Sequence, residues 1–128
     1  MISRKEIYAG SAELPSLVEC HLQSLLYSMN VIRKAYGKTM IVTSGLRTQE
    51  EHEAIYKKLG KKAPMGSAHL AGLAVDIWDR DSKLWRWCLD NIPLLEQEGL
   101  YLEDKSATPT WVHFQKRAPK SGNRIFLP

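Results

Sequence analysis

The chain is poor in cysteine: Cys20 and Cys88 are the only two, and they stand far apart in sequence. That excludes a disulfide framework of the kind that staples small secreted domains. Neither thiol has a partner at ligand spacing, so both read as reduced, buried apolar residues. A long apolar run is missing too, which excludes a membrane-spanning helix. The first residues, Met1-Ile-Ser-Arg-Lys-Glu-Ile7, carry no apolar stretch of the signal-peptide kind, so no export address is expected. Internal repeats and low-complexity segments are absent. So is any helix-turn-helix, zinc-finger or RNA-binding signature.

Charge is unevenly placed. The net charge of +4 gathers in Lys57, Lys58, Lys61 and Lys62, and in Lys116, Arg117, Lys120 and Arg124, with no acid after Asp104. Such clusters attract anionic surfaces. Without a nucleic-acid signature they read as a solvated loop and a solvated tail, and no specific nucleic-acid partner is expected.

What is present suits a globular protein. With 128 residues, 44% of them apolar and 25% charged, the chain is expected to form one domain, residues 1–128, acting as a monomer. Val18, Leu22, Leu25, Met29, Ile32 and Tyr36 recur at spacings of four and three, which predicts a helix over 12–36 ended by Gly37. Residues 39–43 are rich in β-branched side chains and read as a strand. Thr48 and Glu51 have capping-box spacing for a helix that runs to about Leu59. His21 falls at the edge of the first helical stripe and His52 among glutamates. The first reads as partly buried, the second as a solvated surface residue.

Residues 61–67 read as a loop and 73–78 as a strand. Asp81 or Ser82 is expected to cap a helix through Ile92. Residues 100–103 and 110–116 read as an antiparallel pair joined by a turn over 104–109. Strand alternation puts Val75 and Ile77 on one face and Ala74, Asp76 and Trp78 on the other. The same rule separates Val112 and Phe114 from Trp111, His113 and Gln115. The order α, β, α, β, α, β, β predicts an α+β fold, with helices on one face of a small antiparallel sheet and the chemistry on the other.

The chemistry lies in Ser67-Ala-His69-Leu-Ala-Gly72-Leu-Ala74-Val-Asp76 and in Trp111-Val-His113. Asp76 and His113 fall between core positions, where a charge is costly unless paired or metal-bound. Two imidazoles and a carboxylate suit a catalytic zinc, which takes three protein ligands and keeps one position open. A buried, metal-free Asp–His pair is the alternative. Gly72 and Ala74 are small enough to let the backbone approach a metal closely. Ser67 suits a hydrogen bond to a ligand, the backbone or a turn, and Trp111 a cleft wall. Arg47, after Ser44-Gly45, presents a planar fork for a carbonyl or carboxylate.

The run SxHxxGxAxD followed by WxH resembles the VanY-type and D-Ala-D-Ala metallopeptidases. Their wider zinc fold includes lysostaphin-like peptidases and the hedgehog amino-terminal domain. Val42-Thr-Ser44-Gly45-Leu-Arg47-Thr48 resembles the family's SGYR-like segment. The resemblance implies a hedgehog/D-Ala-D-Ala-peptidase-like domain in which zinc is the cofactor, held by His69, Asp76 and His113. It implies Arg47 and Ser67 as substrate contacts and a peptidoglycan peptide as substrate. Many relatives carry an acid three residues before the last histidine, where this chain has Thr110. The general base then falls to Glu103 or Asp104, and Glu103 is favoured. The implied function is hydrolysis of an amide bond in bacterial peptidoglycan, in the manner of a phage endolysin or a carboxypeptidase. Such a protein stays cytoplasmic until release, or travels with a virion, and acts at the cell wall. The alternative is a non-catalytic zinc module on the same fold, such as a phage structural protein. The missing acid at Thr110 favours that alternative.

Overall fold

In the computed structural model, which describes residues 1–61 and 66–128, a five-stranded sheet is covered on one face by helices. The elements are α1 (Arg4–Ile7), α2 (Ser16–Tyr36), β1 (Val42–Ser44), α3 (Gln49–Lys58), β2 (Ala74–Trp78), α4 (Lys83–Leu89), α5 (Ile92–Glu98), β3 (Tyr101–Glu103), a 3₁₀ turn (Lys105–Ala107), β4 (Trp111–Gln115) and β5 (Ile125–Phe126). The strand order is β1-β2-β4-β3-β5. All pairings are antiparallel except β3 with β5. The α+β expectation is met. Lys62 and most of the loop expected over 61–67 lie outside the described residues.

The core follows the periodicities. Leu22, Leu25, Met29 and Ile32 of α2 are fully buried. They pack with Val75 and Ile77 of β2, Leu102 of β3, and Val112 and Phe114 of β4. Leu84, Cys88 and Leu95 complete the layer from α4 and α5. Gly37 ends α2 at φ 74°, a left-handed conformation that glycine adopts without strain. Helix α3 stands apart from this layer: it lends Tyr56 to the opposite side of the sheet.

Several local expectations change. Cys20, expected to be buried, is exposed, while Cys88 is buried and its thiol is pushed well up by desolvation. The helix expected through Ile92 breaks at Asp90–Asn91, and Pro93 sits in the first turn of α5. There its missing N–H costs nothing. Ser82 holds the N-cap position of α4 but makes no side-chain capping bond; Asp81 accepts from Lys83 N at 3.2 Å, and most of the capping comes from Asp79. Asp79 accepts from the backbone of Leu84 at 3.0 Å and of Trp85 at 2.9 Å.

The basic tail is also less solvated than expected. Lys116 donates to Ser28 Oγ and to Glu98 O, each at 2.8 Å, neutralising the carboxy-terminal end of α5. Arg124 lies 4.1 Å from the centre of the Tyr101 ring and donates to Leu100 O.

Candidate metal centre

Alternation along two paired strands builds most of the site. In β2, Val75 and Ile77 enter the core, so Asp76 points to the other face. In β4, Val112 and Phe114 do the same for His113. The register then places Asp76 directly opposite His113. His113 Nδ1 lies 2.9 Å from Asp76 Oδ1.

His69 reaches the same point from the connection before β2. That segment is a tight turn, with Leu70 N donating to Ser67 O and Leu73 N to Ala68 O, each at 3.0 Å. Ser67 Oγ accepts from His69 N at 3.3 Å, so this serine shapes the turn while lining the cleft. Gly72 does not bring backbone to the metal side. It sits at φ 74° against α2, where an added Cβ would meet Val18 O at 3.1 Å. The His69 ring is anchored by Gly45 O, 2.8 Å from Nδ1. A carbonyl only accepts, so Nδ1 carries the hydrogen and Nε2 is left facing Asp76 Oδ2 at 3.4 Å.

His69, Asp76 and His113 are buried, and one donor atom from each lies within 4.8 Å of the others. Ligands at ~2.0–2.1 Å from a tetrahedral zinc stand ~3.3 Å apart, close to the 2.9 and 3.4 Å that separate the Asp76 oxygens from the His113 and His69 nitrogens. The donor set, two imidazoles and a carboxylate with room on the cleft side, fits a zinc ion. The charges fit as well. Burial alone would raise the Asp76 carboxyl, but hydrogen bonds with His113 and His69 outweigh it and hold it well below the usual carboxylate range. Burial would lower His113, yet its bond to Asp76 outweighs that and leaves it raised. Without metal, a proton on His113 stands where the cation's charge would be.

The surrounding cleft, about 300 Å³, is lined among others by Arg47, Tyr56, Ser67, Glu103 and Trp111. Arg47 follows β1, where a shift in register sets Ser44 opposite Asp76. Its Nε donates to Ser44 Oγ at 3.0 Å, and one terminal nitrogen lies 3.7 Å from Asp76 Oδ2. The other terminal nitrogen lies 3.4 Å from Nδ1 of His52. His52 is therefore not the solvated residue expected: it is 0% exposed, packed on Tyr56 at 4.9 Å between ring centres and against the arginine. The acids on α3 mislead because they flank His52 in sequence but point elsewhere on the helix.

The two candidate bases separate cleanly. Glu103 Oε1 lies 3.7 Å from His113 Nε2, inside the cleft. Asp104 is turned away, its carboxylate accepting from the backbone and hydroxyl of Ser106 at 3.0 and 2.8 Å. Thr110 is exposed. Gln115, like Tyr56, had no functional reading from sequence. Gln115 lies on the cleft face with its amide oxygen 2.8 Å from His113 Nε2. Its only sequence signal was its place in the alternation.

No curated protein and no solved structure matches the chain. A family model described as Peptidase M15 does match, over residues 2–92. That span includes Arg47, His69 and Asp76 and stops short of the strand bearing His113. Because the match covers well over half of the residues, the chain belongs to the Peptidase M15 family, zinc peptidases that include the VanY-type D-Ala-D-Ala carboxypeptidases.

Proposed function

We propose that residues 1–128 act as one zinc peptidase domain that hydrolyses an amide bond in the peptides of bacterial peptidoglycan. The observation that carries this reading is the convergence of His69, Asp76 and His113 beside the carboxylate of Glu103, in a member of a zinc-peptidase family. His69 Nε2, an Asp76 oxygen and His113 Nδ1 would hold the ion. When bound, zinc supplies Lewis acidity at the scissile carbonyl and makes water acidic enough to react near neutral pH.

The rest falls to side chains. Glu103 takes a proton from the attacking water and passes it to the departing amine nitrogen as the C–N bond breaks. The products are a new carboxylate and a new amine, so one water is consumed. Arg47, fixed by Ser44 and His52, offers its planar fork to a carbonyl or carboxylate of the peptide. Ser67 and Trp111 line the binding surface. The substrate class supports an endolysin-like or carboxypeptidase-like role at the cell wall, with delivery by membrane lesion or virion.

The non-catalytic reading draws support from Thr110, which leaves the family's usual acid position without a carboxylate. The position of Glu103 in the cleft supports the catalytic reading instead. Mass spectrometry of purified peptidoglycan fragments after incubation with zinc-loaded protein decides between the two. Fragments that gain one water and split into a new amine and a new carboxyl are expected. Intact fragments at full zinc occupancy would leave the non-catalytic module as the answer.

A further inference from the structure

Gln115 reaches the cleft by the same alternation that delivers His113, yet the reaction above does not use it. It is 7% exposed, and its side chain is held at both ends. Its amide nitrogen donates to Arg117 O at 2.6 Å. Its amide oxygen lies 2.8 Å from His113 Nε2. A backbone carbonyl only accepts, so the amide nitrogen has to face Arg117. The amide oxygen then has to face the ring, and it too only accepts. His113 Nε2 therefore carries a hydrogen.

We infer that Gln115 is a positioning residue that assigns the two ring nitrogens of His113: it occupies Nε2–H and leaves Nδ1, on the Asp76 side, as the donor to a metal. This rests on the zinc reading given under the proposed function. His69 is assigned in the opposite sense, because Gly45 O occupies its Nδ1. Two amide oxygens, one from backbone and one from Gln115, thus decide which nitrogen each imidazole presents.

Gln115→Met retains length and bulk but neither accepts from His113 nor donates to Arg117. Partners of this kind are typically worth 10–100-fold in metal affinity. The zinc Kd, measured by competition with a chelator, should rise by about that factor, while the metal-free variant remains folded. An unchanged zinc Kd would overturn the inference. Nitrogen-15 spectra of the zinc-loaded wild type test it without any variant. A hydrogen on His113 Nε2 is expected, and one on Nδ1 would overturn it. Neither readout depends on turnover. A zinc-loaded protein with this pattern that cleaves no peptidoglycan would remove the peptidase reading and still support the role of Gln115. A wild type that binds no zinc would remove both.

Discussion

Asp76 is 7% exposed and faces two imidazoles and a guanidinium, and single substitutions in this site should separate into distinct classes. Glu103→Gln keeps shape and removes the proton acceptor. It should cut turnover by roughly 100- to 10,000-fold and leave zinc bound. Asp104→Asn should cost far less, because that carboxylate is engaged with Ser106. If the two variants exchange these effects, the base is Asp104. Arg47→Lys keeps a positive charge beside Asp76 but loses the fork. Zinc content should hold while turnover on stem peptides falls, and unchanged turnover would reduce Arg47 to a support for Asp76. At this scale the sequence was most legible where alternation applies: Asp76 and His113 share a face because Val75, Ile77, Val112 and Phe114 claim the other. It was least legible where the third dimension decides. Nothing in the run around His52 distinguishes a histidine turned toward Arg47 from one turned toward water.

At the scale of elements, two short connections each depend on a single residue. The stretch from β1 to α3 holds Gly45, whose carbonyl anchors His69 and whose Cα presses on α1. An added Cβ there would lie 2.2 Å from Ile7 O. Backbone on both sides leaves little room to yield, so Gly45→Ala should destabilise the protein by about 1–3 kcal/mol, read as a fall in melting temperature. It should weaken zinc binding as well, since His69 loses its fixed anchor. An unchanged melting temperature would show that the contact relaxes freely. The second connection, from β2 to α4, depends on Asp79, whose two oxygens cap two backbone N–H groups. Asp79→Ala should cost about 1–2 kcal/mol. Helix α2 was legible because its apolar period is long and unbroken, and β4 because alternation runs through its length. The short α1, the two-residue β5 and the break between α4 and α5 were not. Each is too brief for a period to register, and tertiary contacts or a proline position decide it.

For the molecule as a whole, the site links folding, pH and metal. The Asp76 carboxyl is depressed in the folded state. Its contribution is present above an ordinary carboxylate value of about 3.9 and is lost as acid approaches the depressed value. His113 is raised. Its contribution is present below about 6.5 and is lost as pH climbs through the raised value. The metal-free pair thus stabilises the fold most between about pH 4 and pH 6.5. Zinc works in the other direction, since His113 has to release a proton before Nδ1 can donate. Saturating zinc should therefore raise the melting temperature more at about pH 8 than at about pH 6. An equal rise at both would detach His113 from the metal.

The assignment of His69, Asp76 and His113 as the ligands of a single zinc underlies every other claim, and elemental analysis tests it most directly. Purified wild-type protein should hold about one zinc per chain, and His69→Ala, Asp76→Ala and His113→Ala should each lose it while remaining folded. Full zinc retention in any one of the three would contradict the assignment of that residue, and retention in all three would place the metal elsewhere.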